Sequence, residues 1–315
     1  MKRIFLTGAA GFIGFHLAQH LASRGDAVLG YDNFNDYYTP QLKRERAALL
    51  QRAHLPVVEG DLCNLQEMKK QAQAFQATHC VHLAAQAGVR YSLTNPHAYL
   101  TSNLEGFLNV LELCRFEQLP LIYASSSSVY GNNKKIPFAE TDPVEEQASL
   151  YGVTKRSNEL MAATYHRLFH FPVTGLRFFT VYGPWGRPDM AYYTFTKAIL
   201  EERPIDLYFE GKAKRDFTYI DDIVKGITSA IDLSAPCELF NLGNHQPVEL
   251  LHFVETLEKI IGKKAVIQLK PPQPGDVVTT YADIIHSRKM LQFSPQVPLE
   301  TGLRHFFAWY AAHAR

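Results

Sequence analysis

Cysteine is scarce in this chain of 315 residues, and its four copies are scattered: Cys63, Cys80, Cys114 and Cys237. Because no two of them are closely spaced, we expect neither a disulfide framework nor a cysteine-based metal site, and a reducing cytoplasm fits best. Two histidine pairs have helical spacing, but neither carries the glutamate that a zinc-protease motif places after its first histidine. We therefore predict no bound metal and interpret both pairs as parts of helix faces.

An excess of charge of either sign is also missing. The 32 basic and 31 acidic side chains leave a net charge of +1. Such a balance offers nothing to attract nucleic acid or an anionic membrane, which favours a small-molecule partner. No apolar run is long enough to cross a bilayer, and we expect no signal peptide because the first strand begins at about residue 3.

The first half of the chain alternates short apolar runs with amphipathic segments. The pattern predicts strands at 3–6, 27–31, 56–59, 79–83, 120–124 and 173–179, and helices at 12–23, 65–74, 99–115 and 150–169. This alternation is typical of an α/β fold with a doubly wound parallel sheet and helices on both faces. We predict a Rossmann-type domain over residues 1–183 and a smaller α/β lobe over 184–315. Within the second part, residues 217–243 are expected to return to the main sheet.

A glycine triplet follows the first predicted strand and opens a helix. Gly8 permits a tight turn, Gly11 lets the backbone approach a pyrophosphate, and Gly14 lets helix and strand pack closely. Phe12 and Ile13 lie within the same turn, where the start of the helix faces the phosphates. The motif predicts a dinucleotide site.

Acidic and small residues after the next strands extend this predicted site. Asp32 ends the second strand and is placed to accept hydrogen bonds from an adenosine ribose, and Asn33 follows where an NADP enzyme often carries arginine. NAD is therefore the expected cofactor. The remaining expected cofactor contacts follow later strands: Asp61 and Leu62 at the adenine, Leu83, Ala84 and Ala85 against the cofactor, and Phe178.

Tyr151 and Lys155 stand four residues apart in a predicted helix and thus on one face of it. Shifting a tyrosine pKa from about 10 towards about 7 takes about 4 kcal/mol, which the lysine and a bound nicotinamide cation together could supply. The run Ser125–Ser128 precedes this helix and offers a hydroxyl for the substrate oxygen whose proton leaves. A serine run in a loop is the alternative; the buried strand before it favours a site.

With these stretches in place, the chain resembles the extended short-chain dehydrogenase/reductases, and among them the nucleotide-sugar 4-epimerases, most of all those acting on UDP-glucuronate. The resemblance rests on TGAAGFIG (7–14), HLAAQAGVRYS (82–92), SVYG (128–131), YGVTK (151–155), LRFFTVYGPWGRPDM (176–190), RDFTYIDDI (215–223) and PGDV (274–277). It implies a retained NAD, conversion of UDP-glucuronate to UDP-galacturonate through a 4-keto sugar, and a homodimer formed by the helices near 99–115 and 150–169.

The resemblance also implies roles for individual residues. Tyr151 is the expected base, Lys155 contacts the nicotinamide ribose, and Ser126 is the hydrogen-bonding serine. The expected substrate contacts are Ser126, Ser127, Ser128, Thr180, Arg187, Tyr208, Arg215, Asp276 and Arg90. Of these, Arg215 resembles the arginine on the diphosphate, Tyr208 lies by the uracil and Asp276 lies near the uridine ribose. For Arg187 the diphosphate, the sugar carboxylate and a structural role all stay open, and Arg90 is the weakest of the set.

The positions at which this chain differs from related enzymes help to distinguish the alternative functions. Sugar 4,6-dehydratases carry an Asp-Glu pair where this chain has Ser127 and Ser128, and decarboxylases tend to carry glutamate at Ser128. UDP-galactose epimerases have asparagine at the place of Thr180 and an arginine near Gln273. A UDP-glucose or UDP-N-acetylglucosamine 4-epimerase stays open, followed by a decarboxylase and a non-catalytic NAD sensor. We interpret Lys43, Arg44 and Arg46 as a solvated helix face.

Overall fold

The computed structural model describes residues 1–271 and 278–313. Asp276 and the rest of 272–277 lie outside the described residues, as do 314 and 315. The strands are β1 (Arg3–Thr7), β2 (Ala27–Asp32), β3 (Val57–Glu59), β4 (His79–His82), β5 (Leu121–Ser126), β6 (Val173–Phe178), β7 (Thr180–Tyr182), β8 (Pro204–Tyr208), β9 (Lys214–Tyr219), β10 (Cys237–Leu242), β11 (Pro247–Glu249), β12 (Val266–Lys270) and β13 (Thr279–Thr280).

The helices follow the strands in regular alternation through the first half of the chain. They are α1 (Phe12–Ser23), α2 (Pro40–Arg52), α3 (Leu65–Phe75), α4 (Tyr91–Thr94), α5 (Pro96–Tyr99), α6 (Gly106–Glu117), α7 (Leu150–Phe169), α8 (Ala191–Leu200), α9 (Ile220–Leu233), α10 (Leu250–Ile261), α11 (Ile285–Leu291) and α12 (Leu299–His313). A π-helix spans Leu100–Glu105, and short 3₁₀ turns lie at Ser127–Tyr130 and Phe209–Gly211. None of the helices in the described part of the chain is long and apolar enough to span a membrane.

Seven strands form one parallel sheet in the order β3–β2–β1–β4–β5–β6–β10. Helices cover both faces: α1 packs on α9 at one face, and α6 packs between α3 and α7 at the other. One buried apolar cluster lies at the α3, α6 and α7 face, and the other lies at the α1 and α9 face and continues into the smaller elements. The doubly wound α/β fold predicted from the alternation is confirmed, and the strand order reverses between β1 and β4, where ligands bind in such sheets.

The smaller elements lie beyond the carboxyl ends of the large sheet. β9 pairs with β7, β11 and β13, while β8 pairs only with β12 among the described strands. Helix α10 packs against α8 and α12 behind them. The chain then reaches the large sheet again through β10, which pairs with β6 along its whole length.

The helix predicted at 99–115 begins differently in the structure. Its regular α-helical part starts at Gly106, and the preceding turns are π-helical. The wide turns place the Asn103 side chain inside the molecule, where it accepts from the Gln86 N–H (2.8 Å) and donates to the Gln86 carbonyl (2.9 Å) and the Thr154 hydroxyl (3.1 Å). Such insertions frequently mark functional regions. The strand predicted at 173–179 is β6, which ends at Phe178, and a separate strand, β7, begins at Thr180.

Candidate active site

A cavity of about 970 Å³ lies at the carboxyl ends of the central strands and extends under the smaller elements. The predicted site residues that line it are Gly8, Gly11, Phe12, Ile13, Gly14, Asp32, Asn33, Leu62, Leu83, Ala84, Ala85, Arg90, Ser126, Ser127, Ser128, Tyr151, Lys155, Phe178, Thr180, Arg187, Tyr208 and Arg215. Residues far apart in sequence therefore meet in one space, which is lined by the glycine turn and also by Tyr208 and Arg215.

The glycine turn leaves no room for side chains. Gly8 has a φ of +75°, and a Cβ there would lie 2.6 Å from the Ala84 nitrogen. A Cβ on Gly14 would lie 2.1 Å from the Gly8 carbonyl oxygen. Because these neighbours are backbone atoms, the turn fits against α1 and the end of β4 only with glycine. The turn leaves the N-terminus of α1 open to the cavity, as a pyrophosphate site requires.

Asp32 is almost fully buried at the end of β2. Its carboxylate accepts hydrogen bonds from the Ala10 N–H (3.0 Å) and the Phe34 N–H (2.9 Å), one on each oxygen. Burial raises the pKa of this carboxyl, while the two backbone bonds and the charges of Lys43 and Arg46 oppose the rise. Each oxygen keeps a free lone pair, so the group can still accept from a diol in the cavity.

The Asp61 side chain is engaged within its own loop. It accepts from the Asn33 amide (2.9 Å) and the Cys63 N–H (2.8 Å), and these bonds lower the pKa of its carboxyl against the opposing effect of burial. Gly60 and Leu62 form the cavity wall here. Asp61 thus orients Asn33, which itself lines the cavity.

The solvated helix face predicted for Lys43, Arg44 and Arg46 is wrong for two of the three residues. Lys43 is 6% exposed and Arg46 fully buried, while the Arg44 side chain is 55% exposed. The Lys43 ammonium donates to the backbone and side-chain oxygens of Asn35 at 2.7 and 2.6 Å, and burial lowers its pKa to about 8. Lys43 also lines the cavity.

Arg46 connects the glycine turn to the chain that leads into the smaller lobe. Its guanidinium donates to the carbonyls of Ala10 (3.0 Å) and Trp185 (2.6 Å) and to the Tyr38 hydroxyl (2.8 Å). The sequence contains one indication that Arg46 is buried. Arg46 lies four residues from both Leu42 and Leu50, and so on the same face of α2 as these two leucines. Its partners, however, lie as far as 140 residues away in sequence, at the Gly186 carbonyl.

Tyr151, Lys155 and Ser126 lie together at the centre of the cavity. The Ser126 hydroxyl hydrogen-bonds the Tyr151 phenol and also accepts from the Ser128 N–H (3.1 Å). The buried Lys155 ammonium donates to the Ala124 carbonyl at 2.9 Å. Burial lowers the pKa of Lys155 to about 8, while the Glu159 carboxylate opposes this shift.

The pKa of Tyr151 is raised in this structure, whereas the lowered pKa predicted from the sequence counts a bound nicotinamide as one of its two cations. Burial of the phenol raises it, and this outweighs the Ser126 hydrogen bond and the charge of Arg187, which both lower it. The cation acting on the phenol is thus Arg187 from the exit of β7. This contribution was not apparent from the Tyr-x-x-x-Lys spacing, because Arg187 lies 36 positions further along the chain.

Arg187 belongs to a cluster that spans the cavity mouth. It donates through Nε to Asp189 (3.1 Å), and the Tyr37 hydroxyl donates to the same carboxylate at 2.9 Å. Tyr37 comes from the loop after β2, so the cluster joins that loop to the segment entering the smaller lobe. Sequence reasoning missed Tyr37 and Asp189, although Asp189 lies in the GRPDM block.

Three further predicted substrate residues line the cavity: Arg90, Tyr208 and Arg215. The Arg90 guanidinium lies over the Tyr208 ring, 4.9 Å from its centre. Arg215 donates to the carbonyls of Lys214 (2.9 Å) and Val278 (3.1 Å). Both cations line the same cavity as the glycine turn.

Comparisons with known proteins agree with this arrangement. Residues 4–243 match the model of the NAD dependent epimerase/dehydratase family. UDP-glucuronate 4-epimerase 4 of Arabidopsis thaliana is 47% identical over 98% of this chain and 75% of its own length. The crystal structure of UDP-glucuronic acid 4-epimerase from Bacillus cereus, in complex with UDP-glucuronic acid and NAD, is similar with a TM-score of 0.92 at 36% identity, over 98% of this chain and 99% of that one. UDP-glucose 4-epimerase of Thermotoga maritima, with UDP-glucose, reaches a TM-score of 0.89 at 27% identity, over 99% and 100%.

Proposed function

The chain belongs to the NAD dependent epimerase/dehydratase family, and we propose that it interconverts UDP-glucuronate and UDP-galacturonate at C4 through a transient 4-keto sugar. The observation that carries the proposal is the meeting of Tyr151, Ser126 and Lys155 in one cavity with the glycine turn. Relatives bearing the name UDP-glucuronate 4-epimerase, aligned over 98% of the chain, support the substrate.

NAD fits the residues present. A Cβ on Gly8 or Gly14 would collide with backbone, and Asp32 keeps acceptor capacity beside the cavity. The Asp32 carboxylate would repel a 2′-phosphate, which favours NAD over NADP. Asn33, Leu62, Leu83, Ala84, Ala85 and Phe178 would complete the walls. When bound, NAD accepts the hydride from C4 and returns it to the opposite face of the sugar.

Tyr151 would take the proton of the C4 hydroxyl. The Ser126 hydroxyl, already bonded to the phenol, would share this proton path and orient the sugar oxygen. Lys155 is held at the Ala124 carbonyl, so its charge stays at a fixed place in the same cavity. Returning the proton to the other C4 epimer uses the same groups in reverse.

The sugar carboxylate would be held by neutral donors. Oxidation at C4 makes the uronate a β-keto acid, which loses carbon dioxide when the bond to the carboxylate overlaps the ketone. Ser127, Ser128 and Thr180 line the cavity and offer hydroxyls that hold the carboxylate away from that orientation. Hydrogen bonds to a charged acceptor contribute about 1.5–3 kcal/mol each, which is enough to prefer a uronate over a neutral hexose.

The nucleotide would lie at the lobe end of the cavity. We assign Arg215 to the diphosphate, Tyr208 to the uracil and Asp276 to the uridine ribose, with Arg90 against Tyr208 as a supporting contact. Arg187, at the cavity mouth, would contact the diphosphate or the sugar carboxylate. In this division residues 1–183 with 217–243 hold the cofactor, and most of 184–315 holds the UDP-sugar.

A homodimer in the cytoplasm is the proposed working form. Its support is the set of exposed apolar side chains on α6 and α7, which include Leu108 (39% exposed), Leu160 (54%) and Leu168 (62%). Light scattering after size exclusion should give twice the chain mass, and Leu160→Glu should halve it. Leu251→Glu, at an exposed leucine of α10 (39% exposed), is the control. A monomeric wild-type protein would refute the dimer.

The decisive experiment is to incubate the protein with UDP-glucuronate and follow the products by NMR and mass. UDP-galacturonate of unchanged mass is expected, and a UDP-pentose would instead support a decarboxylase. No product from any UDP-sugar would favour the NAD sensor. Equal rates on UDP-glucose or UDP-N-acetylglucosamine would favour the second candidate, to which the similarity with the Thermotoga maritima enzyme lends support.

Two variants of Thr180 test the assignment of its hydroxyl to the sugar carboxylate. Thr180→Ala should raise the fraction of product lost to a UDP-4-keto-pentose, whereas Thr180→Ser keeps the hydroxyl and should behave as wild type. An unchanged pentose fraction in Thr180→Ala would remove Thr180 from this role.

A further inference from the structure

A fully buried carboxylate lies one helical turn beyond Lys155. Tyr151, Lys155 and Glu159 follow one another at intervals of four in α7 and so lie along one face of it. The Glu159 side chain is 1% exposed. It accepts from the Ser125 hydroxyl (2.7 Å), from Arg177 through Nε (2.8 Å) and NH2 (2.9 Å), and from Arg156 (3.1 Å).

The burial of this ion pair is costly for the fold. Removing two charges from water offsets much of their attraction, so a buried pair is weak evidence for a stabilising role. Glu159 and Arg177 are both 1% exposed, and their site joins α7 to β6 directly below the reacting groups. A role in fixing geometry explains a charged pair here better than stability does.

The pair fastens the end of β5 under the catalytic centre. Glu159 holds the Ser125 hydroxyl, and Lys155 holds the Ala124 carbonyl. These are the two residues before Ser126, whose hydroxyl bonds the Tyr151 phenol. Two adjacent points of β5 are therefore tied to the helix that carries Tyr151, which leaves Ser126 little freedom to move relative to the phenol.

The same carboxylate acts electrostatically on Lys155. Burial lowers the pKa of Lys155 to about 8, and the Glu159 charge is the interaction that raises it. The other titratable group that the described part of the structure shows interacting with this lysine is His82 on β4. His82 is neutral at physiological pH because burial lowers its pKa to about 3.

We propose that Glu159 is a positioning residue for the epimerase: through Ser125 it fixes Ser126 against Tyr151, and from one helical turn away it keeps the Lys155 ammonium charged. The reaction that Glu159 would support rests on the proposed function, whereas the contacts of Glu159 do not depend on it.

Glu159→Gln is the principal test, since it removes the charge with little change in shape. A misplacement of about 1 Å away from the chemistry can cost on the order of 10²-fold in rate, so kcat should fall by that order while KM for UDP-glucuronate stays within about threefold. Loss of a nearby opposite charge shifts a pKa by about one unit or more. The Lys155 pKa should fall, and the alkaline limb of the pH-rate profile should move to lower pH with it.

Two variants separate position from charge. Ser125→Ala breaks the tie to β5 but keeps the carboxylate, so it should lower kcat without moving the alkaline limb. Glu112→Gln is the matched control: this glutamate of α6 also binds a tyrosine and an arginine, namely Tyr165 and Arg115, but lies outside the site. It should leave both kcat and the pH profile unchanged.

A second readout keeps the test independent of the substrate. The Lys155 titration can be followed by NMR of ¹³Cε-lysine, with Lys155→Arg to assign the signal, whether or not UDP-glucuronate is turned over. Inactive wild-type protein would therefore overturn the proposed function alone. Glu159→Gln leaves Arg177 unpaired. If the variant does not fold for that reason, the double variant Glu159→Gln/Arg177→Met, which removes both charges, takes its place in the test. An unmoved Lys155 titration and an unchanged kcat in a folded variant would overturn the role of Glu159.

Discussion

Replacing Gly14 with alanine should abolish the retention of NAD. The added Cβ would lie 2.1 Å from the Gly8 carbonyl oxygen, 2.9 Å from the Gly8 carbonyl carbon and 3.0 Å from the Ala9 Cα. All three atoms are backbone, so no side-chain rotation relieves the contact. Ordinary carbon contacts lie at about 3.5–4.0 Å, and α1 must therefore move away from the turn by about 1 Å or more.

The displacement acts on both stability and cofactor binding. Overpacking of this kind costs about 1–3 kcal/mol of folding free energy. Each hydrogen bond from a backbone N–H to a phosphate contributes about 1.5–3 kcal/mol, so the loss of two of them lowers NAD affinity by more than about 100-fold. The assay is the nucleotide released on denaturing the purified protein, together with the dissociation constant for NAD added back.

The control for stability alone is Gly25→Ala. Gly25 has a φ of +89° and no atom within 4 Å of its Cβ position, so alanine there strains the backbone by about 1–2 kcal/mol without touching the turn. This variant should melt earlier but keep its NAD. If Gly14→Ala retains the wild-type amount of NAD, the assignment of the glycine turn to the pyrophosphate is refuted.

Three further predictions concern single side chains. Tyr151→Phe should lower turnover by about 10²–10⁴-fold while calorimetry finds UDP-sugar binding nearly unchanged; more than about a tenth of the wild-type rate would place the base elsewhere. Arg46→Met should lower the free energy of unfolding by about 2–4 kcal/mol, because it leaves buried carbonyls unpaired, whereas the exposed Arg44→Met should stay within about 0.5 kcal/mol; equal losses in urea unfolding would contradict the burial. Burial lowers the pKa of His82 from 6.5 to about 3, so the unfolded chain takes up a proton at higher pH than the folded chain does. Folding stability should therefore be lost as pH falls from about 6.5 towards 3, by up to about 1.4 kcal/mol per pH unit. His82→Asn should flatten this pH dependence, and an unchanged slope would exclude His82 as its source.

Local patterns predicted the elements that depend on local physics. Helix α1 runs from Phe12 to Ser23 and α7 from Leu150 to Phe169, the bounds that their apolar spacing predicts. The glycine turn was predictable because close backbone approach admits only glycine. Parallel strands were likewise predictable, because they are short apolar runs that alternate with helices.

Features that depend on distant partners were not predictable. Arg46 was interpreted as solvated because its carbonyl partners at Ala10 and Trp185 meet only in the folded chain. The depth at which the Tyr151 phenol is buried was not predictable for a similar reason, since helical spacing reveals Lys155 but not the burial that raises the pKa of the phenol. The π-helical turns around Asn103 follow from bonds to Gln86 and Thr154, neither of which a helical periodicity encodes.

The position of β10 has a consequence for synthesis on the ribosome. Strand β6 is complete at Phe178, but the strand that covers its outer edge ends only at Leu242. At 5–20 residues per second, the ribosome needs roughly 3 to 13 seconds to add the intervening chain. During that interval the six residues Val173–Phe178 have no partner strand on the outer edge of the nascent sheet. All six are buried in the final fold. An uncovered apolar edge is a template for aggregation, so rare codons placed between β6 and β10 should lower the soluble yield more than the same codons placed after β10.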